Sequence, residues 1–219
     1  MADLYFSIDY ISFSPFLTTR CSDVLLQAKT MVCCFAEGEH MKILLPKTLC
    51  TIDPSYGPLF FLAGPIRGGG DWQATAVEEI GKRLSKFYAV LPCRYEDTHP
   101  LMQMRLSGDE GYFARQLTWE RHYLSLAAVL GCIIFWLPCE SKEHPRIGGE
   151  PYAMDTRGEL GEWRGALMHG PNLRVVVGAE RDFPGLSQIE RNFNLALERE
   201  FPIYESLAET VTAAVKKIG

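Results

Sequence analysis

From Pro58 onward, short apolar runs alternate with amphipathic stretches of helical period. No other feature of the chain limits its fold so strongly, because this rhythm is that of repeating βα units, which lie down as a parallel sheet flanked by helices. Leu59-Phe60-Phe61-Leu62-Ala63 reads as a buried strand, and the glycine-rich turn Gly64 to Gly70 follows it. Val77, Ile80, Leu84 and Phe87 then recur at helix spacing. Tyr88 to Leu91 forms a second strand, ended by Pro92. After a polar loop to about Asp109, a long helix carries Phe113, Leu117, Leu124 and Ala128 on one face, with Gly131 as its C′ residue. Cys132 to Leu137 is the third strand and the most apolar. A long loop from Pro138 to Asp155 leads to a helix over 157–168, a strand over 173–177, and helices near 186–199 and 204–217 around a short strand at 202–204. Five parallel strands in this order imply an α/β fold with a flavodoxin-like doubly wound sheet.

The first 57 residues lack this rhythm. Leu4 to Ile8 and Thr30 to Phe35 read as isolated strands, and Met41-Lys42-Ile43 opens a lead-in to the first βα strand. We therefore expect an N-terminal extension over 1–41 and one α/β domain over 42–219. With 47% hydrophobic and 22% charged residues, the 219-residue chain has ordinary globular composition and enough length for a sizeable core. A net charge of −5 leaves no basic surplus for a nucleic acid polymer. The seven cysteines are odd in number and contain no C-x-x-C pair, which argues against a disulfide framework or a zinc site and points to a reducing, cytoplasmic setting. Asp3 and the absence of a basic n-region give the N-terminus no secretory character. The longest apolar run, the 14 residues from Leu126 to Cys139, is too short to cross a bilayer, so no membrane partner is expected.

In an open α/β sheet, ligands settle beyond the carboxyl ends of the strands where the strand order reverses. For the order 2-1-3-4-5 this crevice lies between the first and third strands, which selects residues 64–73, 112–121 and 138–160. The glycine loop either brings its backbone close to a ligand or serves turn geometry alone; it spells neither a P-loop nor G-x-G-x-x-G. Glu120 falls between Leu117 and Leu124 on an otherwise apolar helix face. A carboxylate there is either part of a site or paired internally, with Arg115 or Arg121 as partner. Glu159 lies in Asp155-Thr156-Arg157-Gly158-Glu159-Leu160-Gly161. Thr156-x-x-Glu159 is a capping-box pattern, in which the glutamate only bonds back to the helix start. Against that stand its place on the crevice edge and the two glycines that flank it with little bulk. The five histidines show no metal-ligand spacing.

Taken in order, Phe61-Leu62-Ala63-Gly64-Pro65, Trp119-Glu120, Phe135-Trp136-Leu137-Pro138 and Thr156-Arg157-Gly158-Glu159-Leu160-Gly161 resemble the nucleoside 2-deoxyribosyltransferase family, in its divergent branch. The resemblance covers about 42–177. It implies an N-glycosidic enzyme that moves a (deoxy)ribosyl group between nucleobases through a covalent glutamyl-sugar intermediate, with Glu159 as nucleophile and Glu120 as acid or orienter. Asp155 would be an auxiliary carboxylate. Gly64, Pro65, Arg67, Trp119 and Arg157 would bind substrate, a small-molecule nucleoside or nucleotide. A homo-oligomer is implied, and no metal or other cofactor is. The chain departs from the better-known members at Asp155-Thr156-Arg157, where they have a small neutral lead-in; Arg157 is expected to meet a phosphate or pair with a carboxylate, which favours a nucleotide substrate or a hydrolase. Two rivals follow: an N-glycoside hydrolase on the same scaffold, and a non-catalytic nucleotide sensor that uses Arg67 and Arg157 for phosphate.

Overall fold

The computed structural model describes residues 41–219 apart from 94, 144 and 148. The strands expected over 4–8 and 30–35 lie outside the described residues. A six-stranded parallel sheet forms the centre: β1 Met41–Leu44, β3 Leu59–Ala63, β4 Phe87–Val90, β6 Gly131–Leu137, β7 Val175–Ala179 and β8 Ile203–Tyr204. Its order is β1-β4-β3-β6-β7-β8, with every neighbouring pair parallel. Without β1 this is the expected 2-1-3-4-5 order of a doubly wound sheet. The sixth strand is the difference. Met41 to Leu44 extends the edge by pairing with Phe87 to Val90, which the lead-in reading did not anticipate.

Helices cover both faces. α1 Trp72–Gly81 and α5 Leu207–Lys216 pack on one face, where Phe60, Leu62, Ile134 and Val176 point. α2 Gln116–Leu130, α3 Met154–His169 and α4 Leu186–Leu197 belong to the other, whose core joins Phe61, Val90, Ile133, Phe135 and Val177 to Trp119, Tyr123, Leu160 and Phe193. All of β3 and β6 is buried, as continuous apolar runs covered on both sides should be. A two-stranded antiparallel ribbon, β2 Thr48–Leu49 with β5 Asp109–Glu110, sits apart from the main sheet.

Three boundaries differ from expectation. α1 stops at Gly81, and Phe87 is the first residue of β4 rather than the last of a helical stripe. α2 begins at Gln116, after Phe113, and its buried stripe runs through Trp119, Tyr123 and Ala127. Leu117 is consequently 54% exposed. The large aromatics decide this rotation: the Trp119 indole donates to the Thr48 carbonyl (3.1 Å), and the Tyr123 hydroxyl accepts from the Cys50 amide (2.8 Å). Gly131 ends α2, but with φ −165° it is extended backbone and opens β6. A Cβ there would lie 2.0 Å from the Leu59 carbonyl oxygen, so glycine is required by the close approach of the adjacent strand.

Candidate active site

The carboxyl ends of β3 and β6 lie side by side, with Ala63 opposite Phe135. Gly64 follows β3 with φ 155°, and a Cβ on it would stand 2.2 Å from the Trp136 carbonyl oxygen. The glycine loop is held by hydrogen bonds from α1 and from the loop after β6: the Trp72 indole donates to the Pro65 carbonyl (2.9 Å) and the Ser141 amide to the Gly68 carbonyl (2.7 Å). Turn geometry thus accounts for much of its composition. Pro65 is buried, and Arg67 is exposed at the loop.

The acidic residues are carried by α2 and α3. Glu120 sits on the second turn of α2, half-buried at the border of the buried stripe. Its Oε1 accepts a hydrogen bond from Gln116 Nε2 at 2.9 Å, and the same nitrogen donates to the Pro92 carbonyl at 2.8 Å. Among the described residues neither Arg115 nor Arg121 forms an ion pair with it. Arg121 instead reaches Glu162 on α3 at 3.5 Å, which ties the two helices together. Burial raises the Glu120 carboxyl above its ordinary range; the Gln116 bond opposes this and the charge of Asp155 adds to it.

Glu159 is the sixth residue of α3, because the helix begins at Met154. The residue before it, Ala153, has φ 57° and no side chain caps the helix. Thr156 is therefore inside the helix and buried, and the capping box does not form. Asp155 is exposed in the first turn, where the helix dipole favours a carboxylate. Burial, together with the charges of Glu120, Asp155 and Glu162 in that order, pushes Glu159 up to about 7. The positive end of the helix favours an ionised carboxylate. Desolvation and three like charges outweigh the dipole.

The remaining candidates separate from this group. Trp119 is completely buried, bonded to Thr48 and packed on Phe61 and Tyr123, so it supports the helix that carries Glu120. Arg157 turns away from the carboxylates: its guanidinium donates to the Pro184 carbonyl and lies 5.0 Å from the centre of the Phe183 ring. It fastens α3 to the loop after β7. The Tyr152 hydroxyl donates to the Pro138 carbonyl at 3.0 Å and fixes the approach to α3 from the end of β6. Gln116, Glu162 and Tyr152 escaped notice in the sequence. Only the i, i+4 spacing of Gln116 and Glu120 carried any signal.

Among the described residues, no group of three or more His, Cys, Asp or Glu side chains is placed to hold a metal ion, and no helix is long and apolar enough to cross a membrane. No family model and no curated protein matches the chain.

Proposed function

We propose that the protein cleaves and re-forms the N-glycosidic bond of a nucleoside or nucleotide at the carboxylates on α2 and α3. One observation carries the reading: Glu120 on α2 and Glu159 on α3 are both partly desolvated, the charge of Asp155 raises both, and the charge of Glu120 raises Glu159. Such a set retains a proton where isolated carboxylates would all be ionised, so one carboxyl stays acidic beside an ionised one. Retaining glycoside chemistry needs that combination.

In the reactive form the pair's one proton sits on Glu120, the ionised Glu159 oxygen attacks the anomeric carbon, a C–O bond forms and the C–N bond to the base breaks. The departing base nitrogen takes a proton from Glu120. In the second half a base nitrogen, or water, attacks the same carbon and returns its proton to Glu120, and the ester bond to Glu159 breaks. The last proton of the pair leaves near 7, so activity is expected to fall as pH rises through about 7, where Glu120 and Glu159 are both ionised. Activity that rises across that interval would remove Glu120 as the proton donor.

The test is incubation with a deoxynucleoside and a second base, with exchanged nucleoside followed by chromatography and the sugar adduct sought by intact mass. A transferase yields exchanged nucleoside and a Glu159-dependent adduct. Free sugar without need of an acceptor base marks a hydrolase. Full activity in Glu159→Ala would remove Glu159 as nucleophile. Stabilisation by nucleotides without any turnover would mark a binding protein.

A further inference from the structure

Gln116 spends both hydrogens of one planar amide group. One goes to the Pro92 carbonyl at the end of β4 (2.8 Å), the other to Glu120 Oε1 (2.9 Å). The amide thereby spans from α2 to the buried edge of the sheet, since Pro92 is buried. An amide anchored at both hydrogens cannot turn over without losing a bond, and an oxygen that accepts an N–H bond is disfavoured as the seat of a proton. Glu120 is left with Oε2 as its free oxygen.

We propose that Gln116 is a positioning residue that keeps the transferable proton of Glu120 on Oε2. The role in catalysis rests on the N-glycosidic reading above; the hydrogen-bond effect does not. The charged group that acts on Glu120 is Asp155 on α3, the charge of Glu120 in turn raises Glu159, and Arg121 on its own helix is drawn to Glu162. On the sheet side the neighbour of Pro92 is the buried Cys93 thiol, pushed up to about 12 by burial and so uncharged at neutral pH. Among the described residues, Gln116 is therefore the group that favours the ionised form of Glu120, against desolvation and the charge of Asp155.

Carboxyl-carbon and side-chain amide NMR titrations of the full chain decide this. The Glu120 resonance is assigned by its loss in Glu120→Gln. In the unaltered protein the two Gln116 amide hydrogens should shift with the Glu120 midpoint, and that response should vanish in Glu120→Gln. Gln116→Met should raise the Glu120 midpoint by about one pH unit, the scale of one lost hydrogen bond to a carboxylate. Gln116 amide signals that ignore the Glu120 titration overturn the proposal, and they need no variant at position 116 that folds. An unmoved Glu120 midpoint in Gln116→Met overturns it equally. If the protein turns over a nucleoside, the same variant should lower kcat more than it raises KM and shift the alkaline limb of the pH profile upward. A chain with normal titrations but no turnover would sink the N-glycosidic reading and leave the tether standing.

Discussion

Carboxylates occur on both sides of the sheet at its carboxyl edge, and their surroundings are opposite. Beside α1, Asp71 accepts from the Tyr95 hydroxyl at 3.0 Å and bonds His99 Nε2 at 3.2 Å. The Tyr95 and His99 rings stack at 4.0 Å, and His99 Nδ1 accepts the Leu101 amide, so the whole group is hydrogen-bonded. Beside α2 and α3, every charge that reaches Glu159 belongs to another carboxylate. The first arrangement ties a loop to a helix start. The second holds unfavourable electrostatic energy, the kind of arrangement the proposed chemistry would draw on.

The largest expected effect lies in the second region. Glu159→Gln should lower turnover by at least about 10³-fold and abolish the mass adduct, as loss of a nucleophile does. Glu120→Gln should cost roughly 10²- to 10⁴-fold, the range for a general acid, and should also bring the Glu159 midpoint down, because a like charge is gone. If the Glu159 midpoint stays in place, the two residues are not the coupled pair described above.

Stability should separate the regions next. The folded value of Glu159, about 7, lies above its ordinary 4.5, so protonation favours the fold. Its contribution is fully present below about pH 4.5 and is lost as pH rises to about 7. Glu159→Gln should therefore stabilise the protein at pH 8 by on the order of 2 kcal/mol, several degrees in Tm, and little at pH 4.5. Thermal scans at the two pH values check this; a variant equally stable or less stable at pH 8 would deny that the carboxylates are in conflict. Asp71→Ala should do the reverse. Stripping Tyr95 and His99 of their acceptor should cost about 1 kcal/mol in denaturant melts while the pH profile of turnover keeps its shape.

The secondary structure could be read where burial on both faces leaves uninterrupted apolar runs, as in Leu59 to Ala63 and Cys132 to Leu137. It could not be read at Met41 to Leu44, whose four residues become a strand only by pairing with Phe87 to Val90. Side-chain roles were harder. Trp119 and Arg157 both sit in segments next to the acidic residues, yet one faces the core and the other the loop after β7. Chain neighbours on a helix point in different directions, and nothing in their order says which direction the core will claim. Thr156 and Glu159 matched a helix start by spacing alone, but the helix begins before them at Met154.

The alternation of apolar runs with helical faces thus determined, by itself, the parallel α/β class and the edge at which a site would lie, because hydrophobic period and βα handedness leave few other arrangements. Tertiary structure decided the electrostatics. Whether a glutamate is capped, paired or opposed depends on what the neighbouring helix brings within reach, and Glu120 and Glu159 met only when α2 and α3 packed on one face of the sheet. Coulomb and desolvation energies are set by distances in space, which the spacing of residues along the chain does not encode.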